Sequence, residues 1–182
     1  MVKEPRPGRV KTRLGAEIGM TRAAWWYRHQ VARLLRRLQD PRWTIVLAVA
    51  PDRDGLMSRV WPANVARLPQ GDGDLGQRMA RMLRATPGPT VLIGSDIPGI
   101  APQHIARAFR ALGNAPSVVG PAPDGGFWLV GLRHPRNAPK HLFGNVRWSH
   151  PETCADTLPT LPQPVALVDP LSDVDEAEDL RR

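Results

Sequence analysis

The chain has 182 residues, of which 42% are hydrophobic and 23% are charged, a composition typical of one globular domain. No apolar stretch reaches the roughly 20 residues needed to span a bilayer, and the basic start lacks a signal-peptide pattern, so we expect a cytoplasmic protein. The single cysteine, Cys154, excludes an intramolecular disulfide and a zinc site built from cysteines. The net charge of +8 and the pI of about 11.1 favour a polyanionic partner, such as a nucleic acid, a nucleotide or an acidic surface.

The first half of the chain predicts a loop, a helix and two strands. The stretch KEPRPGRVKTRL is basic, and its Pro and Gly residues predict a loop. A helix is predicted from Thr21 to Gln39, with Thr21 as its N-cap and with Arg33, Arg36 and Arg37 on a solvated face. The apolar run WTIVLAVAP predicts a strand buried on both faces, and NVARLP predicts a short one.

The second half of the chain also alternates between predicted helices and predicted strands. DLGQRMARMLRA predicts a helix with Leu75, Met79, Met82 and Leu83 on its apolar face, and TVLIGSD predicts a second buried strand. The later helices are APQHIARAFRALG, PETCADTL and DEAEDLRR, and the later strands are SVVGPA, GFWLVGL and PVALVDP. This order predicts one α/β domain over residues 1–182 with a largely parallel sheet, in which ligands bind at the carboxyl ends of the strands.

Carboxylates in three short stretches are candidates for chemistry. Asp96 in GSDIPGI follows an apolar strand, where it could bind a divalent cation or cap a turn. Asp124 in PAPDGG precedes two glycines, and the alternative is a plain Asp-Gly hairpin turn. Asp173 and Asp175 precede a helical pattern, where aspartate is also a good N-cap. Each signal is weak when taken alone.

The basic stretch at the start also has two interpretations. Glycine lets the backbone approach a ligand, Arg can bind a phosphate through two parallel hydrogen bonds, and Lys supplies a point charge. The stretch could therefore be a cradle for a diphosphate. A disordered basic tail explains the charge equally well.

The order of these motifs is more specific than any one of them. The chain resembles the glycosyltransferase A-fold family whose members begin K-x-P-x-P-G-x-V-K-T-R-L, the arsenosugar-biosynthesis type of nucleotide-diphospho-sugar transferase. It resembles, more faintly, the small guanylyltransferases. The resemblance implies a single-domain, Rossmann-like nucleotide-diphospho-sugar transferase fold and a site that binds a nucleotide.

The resemblance also implies a role for particular residues. Asp96 would bind Mg²⁺ or Mn²⁺, with Asp173 and Asp175 as further metal ligands, and Asp96 and Asp124 would be the catalytic residues. The diphosphate would be bound by the basic stretch, through Lys3, Gly8, Arg9, Lys11 and Arg13. The nucleoside would be bordered by Gln70, Gly71, Leu75, Gly76 and Arg78. The sugar or acceptor would lie near Gly125, Gly126, Trp148 and Ser149.

The family pattern differs from this chain at one point. In the family an apolar strand leads into the basic loop, whereas here only Met1 and Val2 precede Lys3. The resemblance therefore implies a sheet that lacks its first strand.

Three functions follow from this pattern. The first is metal-dependent transfer of a glycosyl group from a nucleoside-diphosphate sugar to an unknown acceptor, with Asp124 as general base if the reaction inverts the sugar. The second is nucleotidyl transfer from a nucleoside triphosphate to a phosphorylated acceptor, which the same basic loop and Asp96 would serve. The third is a non-catalytic nucleic-acid-binding module. It has the right charge but no recognisable binding motif, so nucleic acid is not the expected partner.

Overall fold

The computed structural model describes residues 1–181, and these form two compact units that interleave along the chain. Unit 1 comprises Met1–Gln70, Ser95–Pro98 and the stretch from Asp173, and unit 2 comprises Gly71–Gly94 and Gly99–Ser172. Each unit contains one sheet. The α/β class is confirmed, while a single domain over residues 1–182 stays a prediction.

Unit 1 has a parallel sheet with strand order β1-β2-β3. Its elements, with labels numbered in chain order, are β1 (Val2–Lys3), α1 (Thr12–Ile18), α2 (Met20–Arg37), β2 (Val46–Ala50), α3 (Asp52–Met57), β3 (Ala66–Pro69) and a 3₁₀ helix at Glu178–Arg181. The predicted strands WTIVLAVAP and NVARLP are both present. Four of the five β2 residues are buried, in agreement with the apolar run.

The first strand is reduced to two residues rather than absent. Val2 pairs with Val49 and Lys3 pairs with Ala50, and the backbone N–H of Glu4 donates to the carbonyl of Ala50 at 2.7 Å. The Val2 side chain is buried in a core cluster of unit 1. The two-residue strand therefore pairs with the last two residues of β2 and leads into the basic segment.

Helix α2 follows its sequence pattern closely. Its buried residues recur every three or four positions, which is the spacing of one helical face, and Arg33, Arg36 and Arg37 are exposed as predicted. The predicted N-cap is wrong, because the helix begins at Met20 after Gly19. Helix α1 was not predicted, so Arg13 lies on a helix and not in the basic loop.

Unit 2 has a four-stranded mixed sheet with strand order β4-β6-β5-β7. Its elements are α4 (Leu75–Arg84), β4 (Thr90–Ile93), α5 (Pro102–Asn114), β5 (Ser117–Pro121), β6 (Phe127–Leu132), α6 (Thr153–Thr157), β7 (Val165–Leu167) and 3₁₀ helices at Pro135–Asn137 and Leu158–Thr160. Strand β6 is antiparallel to both β4 and β5, whereas β7 is parallel to β5. The parallel arrangement therefore holds throughout the sheet of unit 1 but only for the β5–β7 pair in unit 2.

The β5–β6 pair is antiparallel because its connection is short. The backbone N–H of Ala122 donates to the carbonyl of Gly126 at 2.9 Å, which closes a tight turn between the strands. So short a connection cannot form the crossover that parallel neighbours need.

Strand β4 differs from its prediction as a buried strand, since all four of its residues are only partly buried.

Helix α4 lies within the stretch DLGQRMARMLRA, as predicted, and Asp74 is its N-cap. The Asp74 carboxylate accepts a hydrogen bond from the Gln77 backbone N–H at 2.8 Å, and the Gln77 side chain accepts one from the Asp74 N–H at 3.2 Å. This reciprocal capping satisfies two backbone donors that the helix leaves unpaired. Leu75 was wrongly placed on the apolar face, because it is 46% exposed, while Met79, Met82 and Leu83 are buried.

Candidate functional site

A cluster of three carboxylates forms in unit 1. One oxygen from each of Asp96, Asp173 and Asp175 lies within 4.8 Å of the others. Asp96 follows β4 after Gly94 and Ser95, and the backbone N–H of Val174 donates to the carbonyl of Asp96 at 3.2 Å. The Val174 side chain is buried against Leu14 and Ala23. This buried valine anchors the D-V-D segment, so that the aspartates on either side of it both reach Asp96.

The ammonium group of Lys11 lies among these carboxylates. Its Nζ is 2.5 Å from Asp96 Oδ2, 2.6 Å from Asp175 Oδ1 and 3.5 Å from Asp173 Oδ2. The Lys11 side chain is 8% exposed, whereas the three carboxylates are 28–40% exposed. Burial opposes the charged form of the amine, but Asp96 and Asp175 outweigh it, so the pKa of Lys11 is raised.

The other basic residues lie at the surface of unit 1. The Arg13 guanidinium is 3.5 Å from Asp175 Oδ2, and its side chain is 73% exposed. Lys3, Gly8 and Arg9 are exposed, and Gly8 has a positive φ of 72° within the turn that precedes α1. The structure thus brings Lys11 and Arg13 to the carboxylates and leaves Lys3 and Arg9 facing solvent.

Tyr27 supports this cluster, and the sequence analysis missed it. Its hydroxyl accepts a hydrogen bond from the Lys3 backbone N–H at 3.1 Å and lies 2.8 Å from Ser95 Oγ. The hydroxyl proton is then available to Ser95, which directly precedes Asp96. Tyr27 is buried, and this burial raises its pKa. Its position on the apolar face of α2 could have predicted burial, but nothing in the sequence indicated Ser95 as its partner.

Gln70 is buried in unit 1, where it joins two strands. Its side-chain amide donates to the carbonyl of Val2 at 3.1 Å and to that of Ala48 at 2.9 Å. These bonds account for the amide nitrogen and give Gln70 a structural role in the sheet. Its predicted contact with a nucleoside stays a prediction.

A second group of predicted residues comes together in unit 2. A Cβ added at Gly76 would lie 2.8 Å from the Trp148 ring, and one added at Gly125 would lie 1.8 Å from the Pro151 carbonyl oxygen. Glycine at both positions therefore lets the segment around Trp148 pack closely. The Trp148 ring also makes edge contacts with Phe127 and Phe143.

The Asp124 turn belongs to the same group. Asp124 is exposed, and its Oδ1 accepts a hydrogen bond from the Gly126 backbone N–H at 3.0 Å. The carbonyl of Gly125 accepts a hydrogen bond from the backbone N–H of Cys154 at 2.8 Å. Ser149 is exposed and has a positive φ of 56°. The D-G-G turn and the W-S segment, remote in sequence, are thus neighbours in unit 2.

The remaining predicted residues of unit 2 are less closely tied to this group. Gly71 has a positive φ of 73°, and a Cβ added there would lie 2.5 Å from the Arg81 guanidinium. Arg78 on α4 is partly exposed, although its Nε is buried and lacks a hydrogen-bond partner in the described part of the chain. Leu75 is exposed beside Gly76.

Comparison with solved structures shows that this is the fold of the nucleotide-diphospho-sugar transferases. A crystal structure from Desulfovibrio desulfuricans G20, described as a "putative nucleotide-diphospho-sugar transferase", is 30% identical, with a TM-score of 0.84 over 96% of this chain and 80% of that one. The 4-diphosphocytidyl-2C-methyl-D-erythritolsynthase of Anaerococcus prevotii DSM 20548 is 10% identical, with a TM-score of 0.57 over 85% of this chain and 82% of that one. At that identity the second similarity concerns the fold alone.

Residues 33–150 match the family model described as "Uncharacterized protein conserved in bacteria (DUF2064)", and the chain belongs to this family. A comparison with curated protein sequences gives no match. Within residues 1–181, no helix combines the length and the apolar character needed to cross a bilayer.

Proposed function

We propose that the chain is a metal-dependent transferase that binds a nucleoside-diphosphate sugar and transfers its glycosyl group to an acceptor. The observation that carries this proposal is the cluster of Asp96, Asp173 and Asp175 around the Lys11 ammonium group. The similarity to the Desulfovibrio desulfuricans protein, whose description names this class of transferase, supports it.

The carboxylate cluster fits a divalent cation by the chemistry of its donors. Carboxylate oxygens are the ligands that Mg²⁺ and Mn²⁺ prefer. One oxygen from each carboxylate lies within 4.8 Å of the other two, and a Mg²⁺ ion spans about 4.2 Å between opposite ligands, so at most a small closing of the side chains would bring all three onto one ion. Asp96, Asp173 and Asp175 would hold the ion, which would supply positive charge for the diphosphate as it departs.

The basic residues of unit 1 would bind the diphosphate itself. Arg13 is within reach of Asp175, and its 73% exposed side chain presents its remaining N–H donors to solvent. Arg9 and Lys3 are exposed and can approach a phosphate without losing buried contacts. These side chains would orient the diphosphate and stabilise its charge in the transition state.

The exposed Asp124 is the residue that we assign as general base for an acceptor hydroxyl. The Gly126 N–H orients its carboxylate, so the side chain needs little reordering to accept a proton. Trp148 and Ser149 would contact the acceptor. Nucleotidyl transfer would use the same residues of unit 1, and the products distinguish the two reactions: a nucleoside diphosphate in the first and pyrophosphate in the second.

Asp96→Asn tests the proposal directly. We expect Mn²⁺ to increase the affinity of the wild-type chain for a nucleoside diphosphate or nucleotide sugar, in a calorimetric panel covering the common bases. The variant should lose most of this increase and keep its circular dichroism spectrum, because asparagine preserves the size but not the charge.

Asp40→Asn is the matched control. Asp40 also lies in unit 1 and is paired with Arg42, so its substitution should leave the Mn²⁺ effect unchanged. An unaltered Mn²⁺ effect in Asp96→Asn would remove Asp96 from the metal site. A wild-type chain that binds none of the nucleotides would overturn the proposed function.

A further inference from the structure

The ammonium group of Lys11 pairs with the carboxylate oxygens that the proposed metal ion would need. A Mg²⁺ ion lies about 2.0–2.1 Å and a Ca²⁺ ion about 2.3–2.6 Å from its oxygen ligands. The Lys11 Nζ lies 2.5 Å from Asp96 Oδ2 and 2.6 Å from Asp175 Oδ1. An ion bound to both oxygens would lie within about 5 Å of the ammonium group and would compete with it for the same carboxylate charge, so the two cations are alternative occupants of the cluster.

The left-handed backbone conformation of Lys11 supports a role for its side chain. Lys11 precedes α1 with φ 45° and ψ 52°, which is left-handed helical conformation. A residue other than glycine pays roughly 1–2 kcal/mol for this conformation. A glycine would adopt it at lower cost but would leave the three carboxylates without a cation.

We propose that Lys11 is an internal counter-cation that a divalent ion must displace, and that the displaced ammonium group then binds the diphosphate. This inference rests on the proposed function and adds an order of events: metal first, diphosphate second. A lysine ammonium group carries three donors on a stem with rotatable bonds, so the same group can pair with carboxylates or with phosphate oxygens. A cation offsets part of the charge of the three carboxylates in both states, lysine in one and the metal in the other.

The first test compares Mn²⁺ affinity in the absence of nucleotide, measured from the electron paramagnetic resonance signal of free Mn²⁺. Lys11→Met removes the competing charge and keeps an unbranched side chain only one atom shorter, so we expect Mn²⁺ to bind at least about tenfold more tightly, the equivalent of one charge-assisted hydrogen bond. Lys140→Met is the matched control, because Lys140 is an exposed lysine of unit 2, and its affinity should equal that of the wild type.

The second test uses the wild-type chain and does not depend on a variant that folds. The sequence contains Lys3, Lys11 and Lys140 as its lysines, so their ammonium groups can be resolved by ¹H–¹⁵N spectroscopy. The Lys11 signal should be protected from exchange without metal, and Mg²⁺ should shift it or abolish it. Lys3 and Lys140 are exposed, so their ammonium protons should exchange rapidly both with and without Mg²⁺.

The outcomes separate this inference from the proposed function. Equal or weaker Mn²⁺ binding by Lys11→Met, no Mn²⁺ binding by either protein, or a Lys11 signal that is unchanged at saturating Mg²⁺ would each overturn the displacement of Lys11. Nucleotide binding by the wild type would still support the proposed function in those cases. Conversely, tighter Mn²⁺ binding by Lys11→Met supports displacement even if no nucleotide binds.

Discussion

The two groups of candidate residues are held together by different forces. In unit 1, Lys11 is paired with Asp96, Asp173 and Asp175, so opposite charges hold the group. In unit 2, Gly125 lies against the Pro151 carbonyl, so close packing without net charge holds the group. The first group should therefore respond to changes of charge and to metal ions, and the second to changes of volume.

The packed group should be the more sensitive to substitution. Gly125 has φ 86°, and a Cβ added there would lie 1.8 Å from the Pro151 carbonyl oxygen. We expect Gly125→Ala to lower the free energy of unfolding by about 3 kcal/mol or more, because strain and overlap act together. Urea denaturation measures the change.

Gly113→Ala provides the control for this prediction. Gly113 lies near the end of α5, and nothing lies within 4 Å of a Cβ added there. Alanine is the better helix former, so the variant should be as stable as the wild type or slightly more stable. Equal effects of the two substitutions would show that close packing does not hold the Gly125 turn.

In the charged group, replacing the buried Lys11 should cost more stability than replacing the exposed Arg13. Lys11→Met leaves the carboxylates without their central cation, and we expect it to cost about 2 kcal/mol of stability at neutral pH without metal. This is less than a fully buried pair would cost, because the carboxylates are partly exposed. Arg13→Met should cost at most about 0.5 kcal/mol, since that side chain is 73% exposed.

Thermal denaturation in a chelating buffer measures both variants. Adding Mn²⁺ should recover more stability in Lys11→Met than in Arg13→Met. If both variants lose the same stability, the burial of Lys11 contributes nothing beyond an exposed ion pair.

A smaller effect than that of Lys11→Met is expected for Tyr27, which is buried and whose hydroxyl lies 2.8 Å from Ser95 Oγ. Tyr27→Phe should cost about 1 kcal/mol near pH 7, because Ser95 Oγ and the Lys3 N–H lose a partner. Burial raises the pKa of Tyr27. The unfolded chain therefore releases this proton first, and the associated stability is complete below about pH 10 and is lost as the pH rises above it.

Tyr27→Phe should not show this part of the loss of stability at alkaline pH. The chain contains one tyrosine, so no other phenol contributes to the comparison. Denaturation midpoints between about pH 8 and pH 11 give the measurement. If the wild type and Tyr27→Phe lose the same stability as the pH rises, then Tyr27 ionises in the folded chain as it does in the unfolded chain.

Much of the local structure could be predicted from residue spacing. The helical face of α2 and the position of α4 follow local patterns, and both are confirmed. Helix α1 was missed because the prolines and glycine just before it indicate a loop. The antiparallel β4–β6 pair was missed because strand and helix alternation says nothing about the direction of each pairing, whereas the Asp-Gly hairpin turn, given as the alternative for Asp124, predicts the antiparallel β5–β6 pair.

The sequence by itself determined which elements form and which residue types are available for chemistry. It also determined the resemblance that led to Asp96, Asp173 and Asp175. Only the tertiary structure decided that Lys11 lies between these carboxylates, because its partner Asp175 is 164 residues away in the chain. A pairing of that kind depends on where α1 and the D-V-D segment pack, and local spacing carries no information about such packing.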